Sequence, residues 1–175
     1  MVKHLSHFKR LALIAGTVAA LFVAPQACCQ GANPDEAALH TQQGQAYFKE
    51  GFYGHAPKGR VAEAERSYGL AARELRAAIA QDPTNLDAHR NLARVYHIQK
   101  DFAGAAEQYQ RVTELAPFDL DAYVNQSLAL IELKRLDDAI QALERAKGAT
   151  SDPKALKTLD GYIARIRSHQ GEEVK

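Results

Sequence analysis

Residues 89–97 read HRNLARVYH, with two histidines, two arginines, an asparagine and a tyrosine in nine positions. Side chains of these types bind metals, move protons or grip anions, so their spacing decides which chemistry is open. A helix rises about 1.5 Å per residue, which puts His89 and His97 about 12 Å apart along the axis. They cannot ligate one metal from one helix, and no H-E-x-x-H or carboxylate–histidine spacing completes a site elsewhere. Ser67 and Ser127 lack a nucleophile-elbow context, and the chain has no Walker loop or dinucleotide fingerprint. The expectation is a non-enzyme with no catalytic residue, no metal and no cofactor. What remains is a contact surface. Arg90, Arg94 and His97 fall at i, i+4 and i+7 and share one helical face, with Asn91 beside it.

The elements that carry this face are helical. Alanine is frequent from residue 60 to 170, while glycine, proline and β-branched residues are sparse there, a bias that favours helix over strand. Residues 33–175 carry 19 basic and 21 acidic side chains, a net of −2. Nucleic-acid binding needs a clustered basic surface, so that class is excluded.

The first ten residues, MVKHLSHFKR, are basic and free of acids, and an apolar run follows over residues 11–24. Fourteen residues are too few to span a bilayer comfortably but suit the hydrophobic region of an export signal. Residues 1–31 are therefore expected to be a signal peptide, cut after Cys29 or Gly31. A cut after Ala27 would instead expose Cys28 for lipidation, although Pro25 stands where a lipobox wants an aliphatic or small residue. An uncleaved signal anchor is the third alternative. The expected location is periplasmic or secreted, with membrane contact only through a lipid on Cys28 or the retained signal. Cys28 and Cys29 are the only cysteines, too few for a disulfide framework or a zinc site.

A period of 34 residues organises the rest. Leu86-Asp87-Ala88 recurs as Leu120-Asp121-Ala122, Asn91 as Asn125, Phe102 as Leu136, Ala105 as Ala139 and Pro83 as Pro117. Each unit holds two amphipathic stretches. Ala88, Leu92, Val95 and Tyr96 share one helical side, and Ala105, Ala106, Tyr109, Val112 and Leu115 another. Asp101, Asp119 and Asp152 stand at N-cap positions, and Pro153 at the first position of a last helix.

These residues resemble the tetratricopeptide repeat, a helix–turn–helix unit. Leu92-Ala93, Tyr96, Ala105, Tyr109 and Pro117 carry the match in the middle unit. Ala139, Leu143 and Ala146 carry it in the next, where Ser151 replaces the closing proline. Gly44, Tyr47, Ala71, Leu75, Ala78 and Pro83 carry it upstream, with fifteen extra residues between the two helices. The glycines and Pro57 of that insert suggest an exposed loop from Gly51 to Gly59, followed by an overlong helix from Arg60. The resemblance implies an all-α solenoid of about three helix pairs, at residues 35–83, 84–117 and 118–152. A capping helix follows at 153–169, and a polar tail at 170–175.

Such a solenoid binds in a concave surface lined mainly by the first helix of each pair. The expected contact residues are Arg90, Asn91, Arg94 and His97 in the middle unit, and Val124, Asn125 and Leu128 in the next. Thr41, Gln42, Gln45 and Phe48 come from the first. The groove should be polar at one end, basic in the middle and apolar at the other. Asn91 and Asn125 would meet the backbone of an extended peptide, and Arg90 and Arg94 an acidic group. Family members that clamp the acidic tails of chaperones use lysines, asparagines and an arginine at matching positions. Only Asn91 agrees here, because Thr41, Gln45, Asp121 and Asn125 stand at the others. The expected function is an exported protein-interaction scaffold for a protein or peptide in envelope assembly, with no small-molecule substrate. Two alternatives are self-association through residues 52–58 and the long helix, and an enzyme or small-ligand binder assembled from distant segments.

Overall fold

The computed structural model describes residues 33–173, with side chains described through residue 170. The segment expected to be a signal peptide, its expected cleavage positions and Cys28 lie outside the described residues. Among the described residues, seven α-helices run in order: α1 (Pro34–Lys49), α2 (Val61–Gln81), α3 (Leu86–Ile98), α4 (Phe102–Leu115), α5 (Leu120–Glu132), α6 (Leu136–Gly148) and α7 (Pro153–Glu173). No strand occurs among the described residues, and none of their helices is long and apolar enough to cross a membrane.

Five of these helices start where a short polar side chain satisfies an orphan backbone N–H; α2 and α6, which follow Arg60 and Arg135, have no side-chain cap. Asn33, Asn85, Asp101 and Asp119 accept from the amides of Glu36, Ala88, Gly104 and Ala122. Asp152 does the same for α7 by accepting from Lys154 and Ala155. The turns inside the hairpins repeat one geometry. Gly59, Lys100 and Lys134 adopt left-handed backbone at φ 69°, 61° and 61°. The residue after each donates back to a helix carbonyl: Arg60 to His55, Asp101 to Tyr96 and Arg135 to Leu130.

Packing follows the pattern of small residues. Ala71, Ala78, Ala88, Ala93, Ala105, Ala139 and Ala146 are wholly buried and let neighbouring helices approach, while Leu75, Leu92 and Leu143 fill the space between them. Truncating one of these leucines to alanine costs about 2–5 kcal/mol. The buried residues form two clusters, one centred on α2 and α3 and one running from α3 to α7, and Tyr96 packs against both. Leu159, Ile163 and Ile166 of α7 close the far end of the second cluster. The cap was expected to end at residue 169, but α7 continues to Glu173, and Gln170 donates to Asp137 on α6 at 2.9 Å.

The first hairpin departs from the expected exposed loop. Residues 50–55 continue α1 as a π-helical turn, and residues 56–58 add a 3₁₀ turn. One period before Phe102 is residue 68, yet α2 begins at Val61, seven residues earlier. In the register of α1, which precedes the next unit by one period plus the fifteen extra residues, the position of Lys100 is residue 51, yet the left-handed turn residue is Gly59, eight later. The fifteen extra residues thus lengthen both helices by about two turns each. The odd residue coincides with the wider π turn. Glycine is what allows this. A Cβ on Gly51 would sit 2.7 Å from the Tyr68 ring, and one on Gly44 would sit 2.6 Å from Leu75. Two turns of α1 separate the glycines, and two turns of α2 separate their partners. The antiparallel contact therefore continues unbroken into the insert.

Candidate functional site

The middle of the groove lies between α3 and α5, with Tyr109 of α4 behind them. Arg90, Arg94, Tyr109, Asp119, Asp121 and Asn125 line a cleft there of about 330 Å³. The two arginines differ in their commitments. Arg90 donates to Asp87 at 2.9 Å and, across the repeat junction, to Asp119 at 2.7 Å. Arg94 is exposed on the same face and makes no ion pair within 4 Å among the described residues. Burial pushes the Tyr109 phenol above its ordinary range, and the nearby charges of Arg94 and Arg90 pull it back. The phenol is thus a neutral hydrogen-bonding group beside one uncommitted guanidinium.

This narrows the expected basic surface. Asp87, Asp119 and Asp121 offset Arg90, so the accessible positive charge of the groove centre is carried by Arg94. The asparagines are also partly spent. Asn91 is buried and donates its amide to the Asp87 carbonyl at 2.7 Å, and Asn125 donates to the Asp121 carbonyl at 2.8 Å. Each amide still has its Oδ1 to accept a peptide N–H. His97, expected on this face, instead packs edge to face on Phe102, with centroids 5.4 Å apart, and does not line the cleft. His89 is buried, its ring nitrogens 2.8 Å from Gln108 Oε1 and 3.1 Å from the Pro83 carbonyl. Thr41 is likewise withdrawn: it donates to Ala37 and accepts from Asn85, tying α1 to α3.

On the other side of α5 the groove is apolar. Val124, Leu128, Ile131, Tyr162 and Ile166 border a second cleft of about 170 Å³ between α5 and α7. Leu128 is 46 % exposed and Tyr162 38 %, so both present carbon surface to solvent. Val124 and Leu128 had been legible as groove residues from the repeat register. Tyr162 had not, because it sits off the buried stripe of α7. The equivalence of α7 to a first helix was the signal that would have found it.

Stacked helical hairpins with a shared concave face define an α-solenoid scaffold. A family model described as tetratricopeptide repeat matches residues 57–119 and 101–155. The chain belongs to the tetratricopeptide repeat family, whose fold is a protein-interaction scaffold rather than a catalytic framework. Among solved structures it is similar to the first such domain of Spaghetti (RPAP3) bound to the HSP90 peptide SRMEEVD. That match has a TM-score of 0.55 and 22 % identity, covering 75 % of this chain and 96 % of that one. The TPR2B domain of yeast Sti1 in its Hsp70 complex matches at 0.58 and 16 % identity, covering 77 % and 98 %. The second domain of human RPAP3, in complex with the HSP70 peptide SGPTIEEVD, matches at 0.58 and 20 %, with the same coverage. At these identities the likeness is one of fold. A sequence comparison with curated proteins returns no match.

Proposed function

We propose that this protein is an exported, non-catalytic scaffold whose concave groove takes an extended protein segment with an acidic group beside a large apolar side chain. One observation carries the reading: α5 has a polar cleft with Arg94 on one side and an apolar cleft with Leu128 and Tyr162 on the other. A single strand lying across α5 would reach both. Arg94 would take the acid, Asn91 and Asn125 would accept backbone N–H groups, and Val124, Leu128 and Tyr162 would cover the apolar side chain. The two RPAP3 domains named above hold peptides ending in EEVD, which supports the class of ligand. The acids at Asp119 and Asp121 argue for a single carboxylate rather than a run of them. A peptide array tests this: retention should require both features, and retention indifferent to either would overturn it.

Export is supported by the basic leader and the apolar run of residues 11–24. It makes an envelope assembly the setting for the partner. Sequencing the mature N-terminus from cells tests it, since a chain that still begins at Met1 in the cytosol contradicts it.

A second reading, self-association, is favoured by the tip of the first hairpin. Phe48 stacks on Phe52 at 5.7 Å, Phe52 meets Tyr53 edge-on at 5.0 Å, and Tyr53 and Val61 are largely exposed. Light scattering decides it. A monomer at high concentration removes this reading, and a dimer that Tyr53→Ser dissociates supports it.

A further inference from the structure

On the face opposite the groove, α4 and α6 flank a polar cleft of about 390 Å³ whose floor is Gln126 and Leu130 of α5. Its volume lies within the ordinary range for ligand sites. Gln126 is 6 % exposed, and its Oε1 is fully buried without a hydrogen-bond partner. Such an acceptor is destabilising unless something donates to it. The repeat register makes the residue unusual. One period earlier stands Leu92, which is buried at 2 % in the core. Where the fold packs a leucine, this unit carries a primary amide.

The walls carry two arginines, Arg135 and Arg145, and two acids, Glu107 and Asp138. Arg135 is committed to Asp138 at 2.6 Å. Arg145 lies over the ring of Tyr123, 5.4 Å from its centroid, and has no carboxylate at ion-pair distance among the described residues. Its nearby acid, Glu114, is already held by Gln110 and Arg111. The cleft thus combines a buried amide lacking a donor with a guanidinium lacking an anion. A peptide terminus has both complements, an amide N–H and, one residue on, a carboxylate. We propose that this convex cleft is a second binding site, for an amide-bearing carboxylate such as the C-terminal residue of a peptide. Gln126 receives the amide, and Arg145 pairs with the carboxylate.

The test is an NMR titration of the intact protein with N-acetyl-Ala-Ala and with its C-terminal amide as control. The Gln126 side-chain resonances should shift with the acid, and the control should bind at least tenfold more weakly. Gln126→Leu, the residue of the preceding repeat, should raise Tm and abolish the shifts seen at neighbouring amides. Arg145→Gln should weaken the acid at least tenfold and keep the fold, while Arg94→Glu in the groove should change nothing. Equal binding of acid and control overturns the carboxylate contact. No shift at tens of millimolar probe, with Gln126 contacting only water, overturns the site.

Discussion

Arg90 on α3 donates to Asp119 at 2.7 Å, and the other carboxylate oxygen of Asp119 caps α5 by accepting from Ala122. One side chain therefore joins two repeats and withholds one of the two groove arginines from a ligand. The roles separate by substitution. Asp119→Asn keeps a capping oxygen, since asparagine caps as well as aspartate, but releases one side of the guanidinium, whose pair with Asp87 remains. It should bind an acidic peptide several-fold more tightly with Tm almost unchanged. Asp119→Ala should also release Arg90 but cost about 1 kcal/mol through the lost cap. Calorimetric titration with thermal melts reads both, and equal affinity in all three proteins would show that Arg90 does not reach the ligand.

The contact of Gly51 with Tyr68 predicts that Gly51→Ala overpacks the first hairpin. The added Cβ meets the ring at 2.7 Å and the Ala64 carbonyl at 3.2 Å. The expected loss is about 1–3 kcal/mol in urea unfolding. Tyr68→Leu in the same chain should recover part of it, because the two sites share one space.

Lys100 and Lys134 hold left-handed backbone at φ 61° with a Cβ present. Replacing either by glycine relieves that strain at some cost in unfolded-state entropy. A net gain of about 0.5 kcal/mol each is expected. The two turns lie in different repeats, so the gains should add. A loss on either substitution in chemical denaturation would contradict the turn geometry.

Glu74 on α2 is held below the ordinary glutamate range, first by the hydrogen bond from Arg73 and next by that from His40 on α1 at 2.8 Å. Its folded value is depressed, so its contribution is complete above the ordinary carboxylate range. That contribution disappears as pH falls through the lower folded value. Stability should therefore drop on acidification below that range, and Glu74→Gln should flatten that part of the profile. An unchanged profile would mean that the α1–α2 pairing is not formed in solution.

The 34-residue register was legible because small residues recur wherever two helix backbones meet, and those positions tolerate little else. That carried the helix pairs, the caps at Asp101, Asp119 and Asp152, and the apolar groove residues Val124 and Leu128. The insert misled because glycine signals both a free turn and a close crossing. Only Tyr68, seventeen residues further on, shows that Gly51 serves the crossing. Arg90 was ambiguous for a similar reason, since helical spacing reveals its face but not a partner twenty-nine residues away. Gln126 was visible by aligning it with Leu92, yet its unpartnered oxygen is a property of packing and not of sequence.

The groove reading stands on Arg94 and Leu128 acting on one ligand from opposite sides of α5. Titrating one peptide with adjacent acidic and aliphatic residues into the parent protein, Arg94→Glu and Leu128→Asp measures this directly. Each substitution should weaken binding at least tenfold while the helical circular dichroism stays the same, and the double variant should bind no detectable peptide. Affinity unaltered by either change, in proteins that remain folded, would place the binding surface elsewhere.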